Sequence, residues 1–289
     1  MASSRPPRIW RWRSGSGSWG IFRGRPRWTR WCCGRRRGSG RSIGVSEGGR
    51  ASGAGDARPR RTALVTGATG GIGEAVARRL AADGFKVYAG GRRKGRLGRL
   101  AAEIGGVALP FDVTVEAEVK GARALVESGG ARLDVLVNAA GVFDLAPVVE
   151  TREETLGRNL AVNLAGVANV TRAFLPGMLE AASGLVINVG SVAGWRAFPD
   201  NAAYSASKYG LRGFHDVLLE ELRGTGVRAC LLEPGAVDTA LWDPLDPDSA
   251  PHLPDRTEML RPLDVARAVG FVAGLPRTVA VPLLRIERA

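Results

Sequence analysis

From Arg61 onward, short runs of apolar and β-branched residues alternate with longer stretches whose apolar positions recur every three or four residues. The short runs, near 62–67, 85–90, 106–111, 133–138, 184–190, 226–232 and 279–285, read as seven strands. The periodic stretches, near 71–83, 93–104, 115–128, 151–181, 201–224 and 262–274, read as helices, with Gly84, Gly105 and Gly184 punctuating their ends. Such alternation predicts an α/β domain: a doubly wound parallel sheet with helices on both faces, spanning 61–289. Residues 235–261 carry four prolines and no clear period, which predicts a surface loop or a short, broken helical lid.

Composition changes the picture for one end only. The formal charge of +13 over 289 residues suggests a polyanion binder until it is divided along the chain. Residues 1–60 hold 15 Arg, no Lys and two acids, Glu47 and Asp56, so 15 − 2 = +13, and residues 61–289 balance 26 bases against 26 acids. This leader also holds five of the seven Trp and many Gly and Ser, without apolar period, a composition that builds no core and predicts disorder. Cys32 and Cys33 are adjacent and Cys230 falls in a strand, so neither a disulfide framework nor metal-ligand spacing is present, and a reducing compartment is expected. No apolar run reaches membrane-span length, and the leader lacks the apolar segment of a secretory signal.

The first strand runs into TGATGGIG, residues 66–73, and then into a helix. In that context Gly67 permits a tight turn, Gly71 allows backbone N–H groups to approach a pyrophosphate, and Gly73 allows close helix packing. The helix N-terminus then offers unpaired N–H groups to the phosphates, the arrangement of a Rossmann-type dinucleotide site; a plain structural turn is the alternative. Strand two ends in AGGRRK, where Gly91 stands in the place of a carboxylate that would hold a ribose diol. Arg92, helped by Arg93, suits a 2′-phosphate instead, unless the basic run is only a solvated helix start. Asp112 suits the adenine amino group, with Val113 packing on the ring, and is equally placed to be the N-cap of the next helix.

In AAYSASKYG, Tyr204 and Lys208 lie four apart on one helical face, so the ammonium, together with a cationic nicotinamide, is expected to lower the pKa of the phenol and fit it for proton transfer. Ser191, just after strand five, adds a hydrogen-bond partner for a carbonyl at the carboxyl edge of the sheet. His215 reads as a packed residue, His252 lies in the Pro-rich loop, and two such distant histidines make no metal site. Cys230 reads as a small buried hydrophobe. Trp195, Phe198 and Trp242 are candidates for the mouth of a pocket.

TGATGGIG, NAAG (138–141), Ser191, YSASK (204–208) and PGAVDT (234–239), in this order and at these separations, resemble the short-chain dehydrogenase/reductase family over essentially all of 61–289. The resemblance implies that Tyr204 is the catalytic acid/base, that Ser191 polarises the substrate carbonyl, and that Lys208 lowers the Tyr pKa while binding the nicotinamide ribose. It implies that Asn163, in AVNLAG, helps hold a water in a proton relay. It makes Asn138 and Gly141 supports of the central sheet and lining of the cofactor site, along with Thr69, Ile72 and Ala139. Pro234, Gly235, Val237 and Thr239 then face the nicotinamide. The activity implied is hydride transfer between NADP(H) and a carbonyl or secondary alcohol, in a homodimer or homotetramer. A 3-oxoacyl carrier-protein reductase is the enzymatic rival, disfavoured by an acid-rich lid (Asp238, Asp243, Asp246, Asp248, Asp255, Glu258). A cofactor-binding protein of weak activity, tethered to nucleic acid by its Arg/Trp leader, is the alternative of another class. The leader also has features of an organelle-targeting segment over 1–46. The preferred reading is a cytoplasmic enzyme whose translation starts nearer Arg61.

Overall fold

The computed structural model describes residues 60–129, 132–250 and 252–289, so the readings of the leader fall outside the described residues. Among these, the strands are Thr62–Thr66 (β1), Lys86–Gly91 (β2), Val107–Pro110 (β3), Val135–Asn138 (β4), Gly184–Val189 (β5), Val227–Pro234 (β6) and Leu283–Ile286 (β7). The helices are Gly71–Ala82 (α1), Lys94–Ile104 (α2), Glu116–Ser128 (α3), Glu153–Leu160 (α4), Gly166–Glu180 (α5), Ala202–Glu221 (α6) and Pro262–Gly274 (α7).

All strand pairs are parallel, in the order β3-β2-β1-β4-β5-β6-β7. Every residue of β1, β4 and β5 is buried because helices cover both faces. Val76, Leu80, Leu97, Val265 and Val269 of α1, α2 and α7 close over Val65, Val137 and Ile187 on one face. Val119, Phe174, Met178 and Leu218 of α3, α5 and α6 close over Leu64, Leu136 and Val186 on the other. The chain reverses its winding between β1 and β4, so the loops after these strands diverge and open a crevice at the carboxyl edge.

Two expectations change and one, the broken helical lid, is met. The helix predicted over 151–181 is α4 and α5 joined by a π-helical turn, Ala161–Ala165, with Pro176 accommodated inside α5. β7 begins at Leu283 rather than 279, since Arg228 clamps the carbonyls of Pro276 and Val279 (3.1 and 2.7 Å) in a turn and Pro282 has no N–H for a ladder. The predicted lid over 235–261 consists of short 3₁₀ turns at Asp243–Leu245, Pro247–Ser249 and Arg256–Glu258. Arg256 gathers them, meeting Asp238 at 2.5 Å, Asp243 at 2.7 Å and Asp248 at 3.6 Å. Half of the six lid acids thus face one guanidinium, which weakens the charge argument against carrier-protein docking.

A chain of buried polar groups crosses the sheet. Asn138 Nδ2 donates to Thr171 Oγ1 (3.1 Å) and Asn188 Oδ1 (2.9 Å). Asn188 Nδ2 donates to His215 Nδ1 (3.1 Å), which fixes the tautomer whose Nε2–H donates to the Pro282 carbonyl (3.2 Å). Burial lowers the His215 pKa, keeping the imidazole neutral. His215 is therefore a satisfied core residue, as its position in the helix pattern implied.

Candidate active site

The loop after β1 folds back on itself because of its glycines. Gly67 has φ +66°, and a Cβ there would sit 2.7 Å from the Ala140 backbone. A Cβ on Gly73 would lie 2.2 Å from the Gly67 carbonyl oxygen, so α1 starts tight against the turn only while both stay glycine. Thr66 Oγ1 accepts from the N–H groups of Ala139 and Ala140 (3.1 and 3.2 Å), locking this loop to the end of β4. α1 begins at Gly71 behind Gly70, which gives no side-chain cap, so the first N–H groups, on residues that line the cleft, are left for an anion.

These residues line one continuous cavity of about 1430 Å³. Single small-molecule sites run to roughly 300–1,000 Å³, so there is room for a dinucleotide and a second molecule. Gly67, Thr69, Gly71, Ile72, Gly73, Arg92, Arg93, Asp112, Val113, Ala139 and Gly141 line it. So do Ser191, Tyr204, Lys208, Pro234, Gly235, Val237 and Thr239. Asn138 and Asn163 do not reach the cleft: Asn138 is spent on the buried polar chain, and Asn163 lies behind the wall. Asn163 Oδ1 accepts from Val142 N (2.9 Å) while its Nδ2 donates to Val142 O (3.0 Å) and Ser207 Oγ (3.0 Å). A side chain so occupied holds the loop after β4 in place, and the π turn around it is where the regular carbonyl ladder is interrupted.

At the end of β2 the two arginines differ. Arg92 is exposed and approaches Asp112 at 3.6 Å, whereas Arg93 folds over the glycine loop, donating to Thr69 Oγ1 (3.2 Å) and Thr69 O (2.9 Å). Burial pushes the Asp112 pKa up, yet hydrogen bonds from Thr114 and the charge of Arg92 outweigh it and hold the carboxyl below its ordinary value. Asp112 is not the cap of α3: that place falls to Val115, and Asp112 closes a local turn with Thr114 N (2.9 Å) and Oγ1 (2.7 Å).

Tyr204 lies in the first turn of α6, its ring edge-on to Phe143 at 4.8 Å, and Phe143 packs in turn on Trp242 at 4.8 Å. Lys208 Nζ donates to the Val189 carbonyl (2.9 Å) and stands 5.5 Å from the Tyr204 ring centroid. Burial pushes the Tyr204 pKa up to about 12, with the Ser191 hydroxyl pulling the other way, so the protein's own groups alone do not lower the phenol. The reason is that Nζ bonds a backbone carbonyl rather than the phenol, so desolvation prevails. Desolvation also lowers Lys208 to about 8. Ser191 Oγ accepts from Ala193 N (3.1 Å), which orients the hydroxyl at the start of the turn Val192–Gly194.

Of the three aromatic candidates, Phe198 and Trp242 line the cleft while Trp195 turns away to lie under Arg285, 4.2 Å from its guanidinium. Sequence reasoning passed over Arg96, one turn into α2, and Phe143, directly after the NAAG glycine and its valine. The position of Phe143, an apolar residue following a cofactor-lining motif, was the available signal. Among the described residues no group of three or more His, Cys, Asp and Glu is arranged to hold a metal, and no helix is long and apolar enough to cross a membrane.

The short chain dehydrogenase family model matches residues 61–250, and the chain belongs to this family. It is 37% identical over 225 residues to the NADP-dependent 3-hydroxy acid dehydrogenase YdfG of Salmonella typhi, covering 75% of this chain and 91% of that protein. Serine dehydrogenase from Escherichia coli is similar in structure, with TM-score 0.69, 34% identity, and 78% and 96% of the two chains covered. An actinorhodin polyketide ketoreductase solved with NADPH superposes with TM-score 0.74 at 29% identity, over 79% and 96% of the two chains.

Proposed function

We propose that the protein is an NADP-preferring oxidoreductase that interconverts a carbonyl and a secondary alcohol. The observation that carries this reading is the convergence of Ser191, Tyr204 and Lys208 on the same cleft as the glycine loop and the two arginines of β2. The residues fit a dinucleotide: the uncapped start of α1 would hold its pyrophosphate, Arg92 its 2′-phosphate, Asp112 its adenine, and Lys208 its nicotinamide ribose. When bound, the nicotinamide supplies or accepts the hydride. The protein handles the rest. Ser191 donates to the carbonyl oxygen, and Tyr204 delivers the proton that oxygen needs as it becomes an alkoxide. A phenol near 12 is well protonated for that donation and becomes a competent acid only as positive charge is brought beside it, the task assigned to Lys208 and the bound cofactor. Phe143, Phe198 and Trp242 give the substrate end an apolar wall.

The test is loss of NADPH absorbance with a panel of ketones, aldehydes, sugars, 3-oxo acids and a 3-oxoacyl thioester, and its gain from NADP⁺ with serine and 3-hydroxy acids. The three names above motivate the last four arms. Absence of turnover in every arm overturns the reading.

The buried ammonium adds a pH signature. Protonated Lys208 donates to ribose hydroxyls as a charge-assisted donor, and the neutral amine, favoured above about 8 by its burial, donates more weakly. The 2′-phosphate, ionising near ~6, does not titrate in this range. The dissociation constant for NADPH is therefore expected to rise by up to about tenfold per pH unit above 8. Tryptophan-to-nicotinamide energy transfer between pH 7 and 9.5 measures it, and a flat profile removes Lys208 from the ribose.

A further inference from the structure

Glu233 is a carboxylate at 2% exposure, placed immediately before Pro234 and Gly235 at the end of β6, that the reaction described above does not use. Its two oxygens go to different elements. Oε1 accepts from Arg212 Nη1 of α6 (3.3 Å), one helical turn beyond Lys208, and Oε2 accepts from Arg285 Nε of β7 (2.9 Å). The third neighbour is the segment bearing Ser191. A Cβ added to Gly190 would lie 3.2 Å from Glu233 Cγ, and one added to Gly194 would lie 3.1 Å from the Lys208 carbonyl oxygen and 3.6 Å from Glu233 Oε1. The outer arginine continues the chain, with its guanidinium over the ring of Trp195, the residue that ends the Ser191 turn. Gly190–Trp195 is thus held from below by the Glu233 side chain and from the side by Arg285.

We propose that Glu233 is a positioning residue: through Arg212 and Arg285 it fixes the turn that presents Ser191 against the helix carrying Tyr204 and Lys208. A carboxylate suits the position because each of its two oxygens faces a different guanidinium, and an amide would replace one of these acceptors with an N–H. A glutamine of the same shape turns an N–H toward one of the two partly exposed guanidinium groups and loses that contact. The turn then loses its floor, and a misplacement on the order of 1 Å at a reacting group costs up to about a hundredfold in rate.

This inference rests on the proposed activity, and the experiment separates the two. Ser191→Ala, Glu233→Gln and the double variant are compared with the unsubstituted protein for kcat, KM and NADPH dissociation constant. The expected result is that Glu233→Gln lowers kcat by about 10- to 100-fold while NADPH binding changes by less than about twofold. In the Ser191→Ala background the same substitution is expected to cost less than about twofold, because the group it positions is already gone. Arg285→Gln, at the more exposed end of the chain, should repeat the pattern in weaker form and carries the test if Glu233→Gln does not fold. Losses that multiply independently in the double variant, or a fall in NADPH affinity matching the fall in kcat, overturn the positioning role. An unsubstituted protein without turnover overturns the activity instead.

Discussion

Tyr204→Phe is expected to lower kcat by about 10²- to 10⁴-fold, the range contributed by a positioned proton donor, while NADPH binds as before. The separation follows from the site's layout. The phenol faces the substrate end, beside Ser191, whereas the dinucleotide is held by the glycine loop, the start of α1 and the β2 arginines. Phenylalanine keeps the ring whose edge meets Phe143 at 4.8 Å, so the apolar wall is preserved and only the hydroxyl is lost. Single-turnover rates and NADPH titration of the variant decide the matter. Near-native turnover would remove Tyr204 from the proton transfer, and a parallel loss of cofactor affinity would mark it as structural.

The second large effect concerns cofactor choice. A well-formed contact to the 2′-phosphate contributes roughly 1.5–3 kcal/mol, or about 10- to 150-fold, so kcat/KM should favour NADPH over NADH by at least about tenfold. Exchanging Gly91 for Asp, the obvious way to install a diol acceptor, is compromised because Gly91 sits at φ +159°, a conformation that residues with a Cβ rarely adopt. The two arginines offer a cleaner comparison. Arg92→Gln removes an exposed charge whose nearest acid, Asp112, is 3.6 Å away, and should reduce use of NADPH alone. Arg93→Gln removes two hydrogen bonds that brace Thr69, and should weaken NADPH and NADH together. The ratios are to be measured at fixed ionic strength, since exposed contacts are screened. A native ratio near unity returns Arg92 to the role of a solvated helix start.

The sheet was legible because each strand is a local run with turn residues at its ends, and the seven runs map onto the seven observed strands within a few residues. The cleft was legible where the family's motifs are contiguous: TGATGGIG, Ser191, YSASK and PGAVDT all open onto it. What local pattern does not encode is which distant groups meet. Nothing near Arg256 marks it as the partner of Asp238, Asp243 and Asp248, or Glu233 as the partner of Arg212 and Arg285. Spacing likewise placed Lys208 beside the Tyr204 ring without revealing that Nζ is engaged by Val189 O, so that burial outweighs the ammonium at the phenol. Asn163 was assigned by motif, and only its three-dimensional partners show that its side chain is committed to Val142 and Ser207.

The amide pair at the ends of β4 and β5 bears on how the sheet finds its alignment. Asn138 lies opposite Asn188, both essentially fully buried, at the foot of strands that are otherwise aliphatic. Sliding β4 by two residues would keep its side chains on the correct faces, so the in/out alternation alone does not reject that pairing. It would also set Asn138 opposite Val186 and part the two amides, and each buried polar group stranded in this way costs about 1–3 kcal/mol. The pair therefore favours the native register over its neighbour. Because β4 carries the loop locked to the glycine turn and β5 leads into Ser191, the same register sets the distance between the cofactor half and the proton-transfer half of the cleft.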